Sequence, residues 1–162
     1  MSDLPKEVIN IALLGLGTVG SGAYKILSSH KEDFRRKVGA ELKIKAILEK
    51  DLSKAQALGA ENMLARDISA IVNDPSIDIV VEVIGSIEPA KTFILQAIGQ
   101  GKQIVTANKE LLANHGQEIF EAAEAKGVDV YFEASVGGGI PIIHPLRESL
   151  ASNKITKIMG IV

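Results

Sequence analysis

Short apolar runs alternate with amphipathic stretches along most of this chain. Apolar runs of strand length indicate buried strands, and apolar residues at helical spacing indicate helices that pack on them. Strands are predicted at residues 8–14, 41–48, 77–84, 103–106 and 128–133. Helices are predicted at residues 18–29, 54–58, 67–72, 89–99 and 112–126. The charged stretch 30–37 either prolongs the first helix or forms a solvated loop.

This alternation predicts an α/β fold, doubly wound, with a mostly parallel sheet and helices on both of its faces. In such sheets, ligands bind beyond the carboxyl ends of the strands. Each predicted end carries a polar or glycine-rich segment, at residues 15–20, 48–51, 85–88, 106–109 and 133–141. The chemistry of this protein is therefore expected along one edge of the sheet.

The first of these ends has the spacing G-x-G-x-x-G between a strand and a helix, which is the dinucleotide-binding fingerprint. Gly15 permits the tight turn, Gly17 lets a pyrophosphate approach the backbone, and Gly20 lets the helix pack closely on the strand. The helix that begins near Thr18 directs N–H groups and a partial positive charge at the phosphates. The sequence therefore predicts a Rossmann-like dinucleotide-binding domain.

The end of the second strand predicts the type of nicotinamide cofactor less clearly. A carboxylate there binds the adenosine ribose of NAD, whereas a cation accommodates the 2′-phosphate of NADP. Glu49 and Lys50 are adjacent, and neighbouring strand residues point to opposite sides. Only one of them can face the ribose, and the sequence leaves open which. Asp51 is predicted to cap the turn that follows.

The ends of two further predicted strands carry residues that could bind a ligand or an ion. Lys109 follows a strand near the expected nicotinamide end, where an ammonium could orient a substrate or hold a phosphate or carboxamide. It could equally be a surface lysine at a helix start. The triplet Gly137–Gly139 lets main chain approach a ligand or ion. Its carbonyls could hold a hard monovalent cation near Glu133, although a flexible linker is the alternative.

Composition narrows the class of protein. The 162 residues suggest one domain, or one domain plus a fragment. A net charge of −2 gives no sign of a nucleic-acid or anionic-membrane partner, and the absence of cysteine excludes disulfides and thiol chemistry. Neither a membrane span nor a signal-peptide core is evident, so we predict a soluble cytoplasmic protein.

Several segments together resemble the amino-terminal NAD(P)-binding domain of homoserine dehydrogenase. They are residues 15–20 (GLGTVG), 81–85 (VEVIG), 105–113 (VTANKELLA) and 133–141 (EASVGGGIP). The tail segments 145–150 and 158–162 are similar as well. This resemblance spans nearly the whole chain and is far more specific than the fingerprint alone.

The resemblance implies an oxidoreductase of threonine and methionine biosynthesis, which interconverts L-homoserine and aspartate 4-semialdehyde with NAD(P). Lys50 stands where the family often has an arginine, which favours NADP, although Glu49 departs from that pattern. Lys109 is the implied catalytic residue. The implied cofactor contacts are Gly15, Leu16, Gly17, Thr18, Val19, Gly20, Glu49, Lys50, Ile84, Gly85, Thr106 and Lys109. The implied sodium site is Glu133, Val136, Gly138 and Ile140.

Family members continue into a substrate-binding, dimer-forming domain. We therefore expect residues 1–154 to form the NAD(P)-binding domain and residues 155–162 to begin a truncated second domain, as its first strand. The full-length protein is expected to be a homodimer or higher oligomer. The alternative from another class is a non-catalytic NAD(P)-binding regulatory or redox-sensing module.

Overall fold

The computed structural model describes residues 6–160, in which one parallel sheet has the strand order β2-β1-β3-β4-β5. The strands are β1 (Val8–Leu14), β2 (Glu41–Leu48), β3 (Ile79–Glu82), β4 (Gln103–Thr106) and β5 (Val130–Tyr131). Every strand pair in this sheet is parallel, because helical segments carry the chain back between consecutive strands. The predicted α/β architecture is confirmed.

Helices cover both faces of the sheet. They are α1 (Thr18–Ser29), α2 (Lys31–Val38), α3 (Leu52–Gln56), α4 (Ile68–Val72), α5 (Ala90–Gly99) and α6 (Lys109–Lys126). Successive residues of β1 point to opposite faces and enter two separate apolar cores. Leu14 packs with residues of α4, α5 and α6, whereas Leu13 packs with residues of β2 and α3.

Several predicted boundaries were wrong for local reasons. β3 ends at Glu82 because the Ile84 N–H donates to the Glu82 carboxylate at 2.7 Å instead of continuing the ladder. β5 is only two residues long and is soon followed by a 3₁₀ turn at Glu133–Ser135. α6 begins at Lys109 because the Asn108 side chain accepts the Leu111 N–H.

The other differences lie nearer the ends of helices and of the chain. The charged stretch after His30 forms a separate helix, α2, and α3 begins at Leu52 rather than at residue 54. Residues 155–160 are exposed and form no strand here, residues 161–162 lie outside the described part, and the opening of a second domain stays a prediction. A strand needs a neighbour for its N–H and C=O groups, and no described strand lies alongside.

Charged side chains form a paired network at the amino ends of the strands. The buried Lys102 ammonium donates to the carbonyl oxygens of Asp74 at 2.5 Å and Ile77 at 2.8 Å. Lys45 binds the Asp74 carboxylate at 2.7 Å, and Lys6 binds the Asp78 carboxylate. This network, the amino-edge network, closes that edge of the sheet. None of the helices within residues 6–160 combines the length and the apolar character needed to cross a membrane.

Candidate functional site

A cleft of about 390 Å³ lies beyond the carboxyl ends of β1, β2 and β3. Its lining combines the glycine loop with charged, polar and apolar side chains from the strand ends and α5. The lining residues are Gly15, Gly17, Leu48, Glu49, Lys50, Lys54, Val83, Ile84, Ser86, Glu88, Pro89 and Phe93. The volume of the cleft and the mixture of polar and apolar residues in its lining are typical of a small-molecule or cofactor site.

The three glycines of the fingerprint have different surroundings. Gly15 has φ +101°, a conformation that strongly favours glycine. A Cβ on Gly20 would overlap the carbonyl oxygen of Gly15, so this glycine allows α1 to pack against the loop. A Cβ on Gly17 would meet nothing within 4 Å, because this residue faces the open cleft. Gly15 and Gly20 therefore shape the loop, and Gly17 keeps its surface accessible.

Among the helices of residues 6–160, α1 is one of three that begin without a side-chain cap, together with α2 and α5. Side chains cap α3, α4 and α6, through Asp51, Asp67 and Asn108. At α1 the N-cap is Gly17, and no side chain of the described residues accepts a hydrogen bond from the first turn. The N–H groups of Thr18 and Val19 lie in that turn, and both residues are exposed. Such a terminus attracts an anion.

The Glu49 carboxylate lies between the glycine loop and the end of β2. Its Oε2 accepts the Leu16 N–H at 2.7 Å, and its Oε1 accepts the N–H groups of Lys50 at 2.8 Å and Asp51 at 3.0 Å. Burial raises the pKa of Glu49, but these N–H groups and the Lys54 ammonium, 3.7 Å away, hold it below its usual value. Glu49 is therefore ionised at neutral pH.

Lysines stand on the same wall of the cleft. Lys50 is exposed and lines the cleft, and Lys54 lines it one helical turn further along. Asp51 caps α3 as predicted, with its carboxylate accepting the Ser53 N–H at 3.0 Å. Hydrogen bonds from the Ser53 hydroxyl and N–H lower the pKa of Asp51. Lys50 and Lys54 therefore give this part of the cleft two cations.

A buried polar chain joins the ends of β3 and β4. Glu82, which is fully buried, accepts the Thr106 hydroxyl at 2.7 Å, and the Thr106 oxygen accepts the Asn108 N–H at 3.0 Å. The Asn108 amide group then donates to the Ser86 carbonyl oxygen at 2.8 Å. Thr106 thus faces the interior rather than the cleft, and it orients Asn108 at the start of α6.

Lys109 is the first residue of α6 and is exposed. A small cavity of about 80 Å³ adjoins this helix start and is lined by Val19, Val83, Gly85, Ala107 and Asn108. Lys109 lines neither this cavity nor the larger cleft. It is therefore close to the site in sequence and topology, and its ammonium is in solvent.

The glycine-triplet loop is organised around Glu133. The Glu133 carboxylate accepts the N–H groups of Ile142 at 2.5 Å, Ile143 at 2.9 Å and His144 at 2.6 Å. The N–H groups of Ile142 and His144 chiefly lower its pKa. Gly137 and Gly138 have positive φ angles of 68° and 63°. The loop is thus folded back on Glu133, and its carboxylate is already engaged by the protein.

The structure brings together only part of the predicted site. Gly15, Gly17, Glu49, Lys50 and Ile84 line the cleft, while Val19 and Gly85 line the small cavity. Leu16 is buried, and its N–H is bound to Glu49. The segment 133–140 lies beyond β5, away from both cavities.

Sequence reasoning missed Lys54, Ser86 and Phe93 in the cleft lining. Ser86 falls within a predicted strand end, and Lys54 lies in the helix that follows another. Phe93 had no such signal, because its helical spacing is that of an ordinary core residue.

Comparisons with known proteins place this arrangement in a family context. The family model for the NAD-binding domain of homoserine dehydrogenase matches residues 15–133. The homoserine dehydrogenase of Bacillus subtilis (strain 168) is 45% identical over 157 residues, which cover 96% of this chain and 36% of that protein. The chain therefore spans about a third of the length of the curated relatives that it matches.

Solved structures give the same result. A homoserine dehydrogenase from Thiobacillus denitrificans superposes with a TM-score of 0.85 and 49% identity, over 91% of this chain and 34% of that chain. A hyperthermophilic archaeal homoserine dehydrogenase, solved in complex with NADPH, superposes with a TM-score of 0.72 and 26% identity, over 90% of this chain and 50% of that chain.

Proposed function

The chain belongs to the homoserine dehydrogenase family, as its NAD(P)-binding domain, and we propose that it holds the cofactor in the cleft beyond β1, β2 and β3. Within a longer protein it would support the interconversion of L-homoserine and aspartate 4-semialdehyde, in threonine and methionine biosynthesis. Similarity to dehydrogenases over nearly the whole chain favours this function over that of a regulatory or redox-sensing module.

The uncapped N-terminus of α1 is the observation that carries the proposal. Its exposed first turn opens beside Gly17, where there is room for a pyrophosphate against the backbone. The N–H groups of Thr18 and Val19 would bind the phosphate oxygens, and the helix dipole would add a partial positive charge. Gly15 and Gly20 would hold the loop in the required shape.

We propose a preference for NADP over NAD. Lys50 and Lys54 supply two cations on the wall where the adenosine ribose is expected, and Glu49 directs its carboxylate to backbone N–H groups. A 2′-phosphate would be favoured by both ammonium groups. The relative that was solved with NADPH is consistent with this preference.

Lys109 is the proposed catalytic residue of the longer protein. The bound nicotinamide would supply the hydride exchange, and when aspartate 4-semialdehyde is reduced its aldehyde oxygen needs a group that donates a proton. The exposed Lys109 ammonium lies at the start of α6, next to the buried Glu82–Thr106–Asn108 chain. It can therefore be oriented toward a substrate that binds beyond the carboxyl ends of the strands. Residues of the longer protein would clamp that substrate.

The sodium site also remains a proposal. Within residues 6–160, no group of three or more His, Cys, Asp or Glu side chains is suited to hold a metal ion. A cation in the glycine-triplet loop would therefore bind the main-chain carbonyl oxygens of Glu133, Val136, Gly138 and Ile140. The longer protein is proposed to be a cytoplasmic homodimer or higher oligomer, with residues 1–154 as the cofactor domain and residues 155–162 opening the next domain.

The direct test is Gly17→Val in the 162-residue chain. The valine side chain would occupy the space proposed for the pyrophosphate, so NADPH binding should be lost while the circular dichroism spectrum stays unchanged. Calorimetric titration of both proteins measures the affinity. Equal affinities would refute the cleft as the cofactor site.

A second test separates binding from catalysis. The isolated chain should bind NADP(H) without oxidising homoserine, because the clamp for the substrate is proposed to come from the rest of a longer protein. In the full-length protein, Lys109→Ala should lower turnover strongly and leave the fold intact. Absorbance growth at 340 nm with the isolated chain, or wild-type turnover in that variant, would contradict these proposals.

A further inference from the structure

Glu49 joins two loops that are distant in sequence. Its Oε2 binds the N–H of Leu16 in the glycine loop at 2.7 Å, and its Oε1 binds the N–H groups of Lys50 and Asp51, at 2.8 and 3.0 Å, after β2. The Gly15 N–H donates to the Leu48 carbonyl oxygen at 2.9 Å between the same two loops. These contacts form the Glu49 clasp.

An acidic residue at the end of the second strand ordinarily recognises the ribose hydroxyls of the cofactor. That role needs carboxylate oxygens that face the cleft and are free to accept hydrogen bonds. Here both oxygens already accept backbone N–H groups, and the Lys54 ammonium lies 3.7 Å from Oε2. The local geometry therefore opposes ribose recognition by Glu49.

The clasp acts on the residues that shape the phosphate site. Leu16 lies between Gly15 and Gly17, and its side chain is buried, so the Glu49 bond fixes the backbone N–H of the residue at the centre of that turn. The bond is charge-assisted, and such bonds are about twice as strong as neutral ones. The conformation of the glycine loop thus depends on a carboxylate from the neighbouring strand.

We propose that Glu49 is a positioning residue, which holds the glycine loop in its phosphate-binding shape and does not recognise the ribose. This inference rests on the proposed function, because it concerns a cofactor in the cleft. A positioning role predicts the same loss of affinity for NADH and NADPH, since both carry the same pyrophosphate. Ribose recognition predicts instead that the ratio of the two affinities changes.

Glu49→Asp is the informative variant, because it keeps the charge near the ribose but is one methylene too short to span both loops. Titrations of the 162-residue chain with NADH and NADPH, followed by nicotinamide fluorescence, should show both affinities lower by about tenfold. Their ratio should stay within about twofold of the wild-type ratio. A selective loss for one cofactor, or wild-type affinity for both, overturns the inference.

Asp74→Asn is the matched control for loss of stability. Asp74 is a carboxylate of the amino-edge network, far from the cleft, and its loss should lower the unfolding midpoint without changing either affinity. If Asp74→Asn weakens cofactor binding as Glu49→Asp does, the effect of Glu49 is only general destabilisation and the inference fails.

Amide hydrogen exchange separates this inference from the proposed function. In Glu49→Asp without cofactor, the Leu16 amide should exchange faster than in the wild type, because its acceptor has withdrawn. Unchanged exchange at Leu16 overturns the clasp whatever the cofactor result. If the wild type binds neither cofactor while Leu16 exchange does respond, the clasp exists and the proposed function is what fails.

Discussion

The two edges of the sheet differ in how their charged side chains are paired. At the amino edge, lysines bind carboxylates and carbonyl oxygens, and Lys102 is buried among them. At the carboxyl edge, Glu82 and Glu133 bind backbone N–H groups, and Glu49 binds backbone N–H groups with the Lys54 ammonium 3.7 Å away. Lys50 and Lys109 are exposed there.

The difference separates stabilising a fold from preparing a site. Lysines and acids that bind each other leave little charge for a ligand, so the amino edge is closed. Carboxylates that bind N–H groups fix loop shapes while leaving neighbouring lysines exposed to an anion. The burial of a charged side chain therefore does not by itself indicate a ligand-binding site. The group to which the side chain is bonded is more informative.

The largest expected change in stability comes from a substitution that tests whether close backbone packing shapes the carboxyl edge. Gly20→Ala places a Cβ against the Gly15 carbonyl oxygen, so the free energy of unfolding should fall by about 3 kcal/mol. Urea denaturation of the 162-residue chain measures it. Gly22→Ala, where a Cβ meets nothing within 4 Å, is the control and should be neutral or stabilising. Equal stability of the two variants would contradict the packing argument.

The amino edge should govern stability alone. Lys102→Met removes two charge-assisted hydrogen bonds from a buried site, which should lower the free energy of unfolding by about 2 kcal/mol. The affinity for NADPH at a temperature below unfolding should not change, because Lys102 lies at the opposite edge. Weaker NADPH binding in this variant would contradict the conclusion that the amino edge affects stability but not cofactor binding.

The lysines of the two edges should differ in what they affect. Lys50→Ala should weaken NADPH binding by about 1.5 kcal/mol and leave NADH binding nearly unchanged, because only NADPH carries the 2′-phosphate. Lys45→Ala, in the amino-edge network, is the control and should change neither affinity. Paired calorimetric titrations measure both. A preference for NADPH that survives undiminished in Lys50→Ala would assign the 2′-phosphate site to another residue.

The smallest effect concerns the glycine-triplet loop. Its N–H bonds lower the Glu133 pKa below the usual 4.5, so the carboxylate stabilises the loop above about pH 4.5 and loses that effect as pH falls through its lower folded value. Glu133→Gln should speed amide exchange at Ile142, Ile143 and His144 at neutral pH. Glu148→Gln, an exposed site nearby, should not. Unchanged protection in Glu133→Gln would mean that the bonds do not organise the loop.

Much of this fold follows from local sequence patterns. Strands at 8–14, 41–48 and 103–106 were predicted with the observed bounds, since apolar runs and turn residues act within a few positions. The caps at Asp51 and Asp67 were predicted for the same reason. The glycine loop and its helix were equally local features.

The remaining features depend on contacts that sequence spacing does not encode. The sequence alone does not show that Glu49 binds Leu16, 33 residues away, or that Thr106 binds Glu82, 24 residues away. Both contacts exist only once parallel strands bring distant loops together. The contribution of Phe93 to the cleft arises in the same way, from the packing of α5 beside β3.

The strand order has a consequence for how this protein could change over evolution. From β1 the chain winds outward to β2 and then crosses back to β3, on the other side of β1. The segments that leave β1 and β3 therefore diverge, and a crevice opens between them whatever side chains they carry. Substitutions at positions such as Lys50 or Phe93 can retune what the crevice accepts. Such substitutions cannot change the position of the crevice, because the order in which the chain connects the strands determines that position.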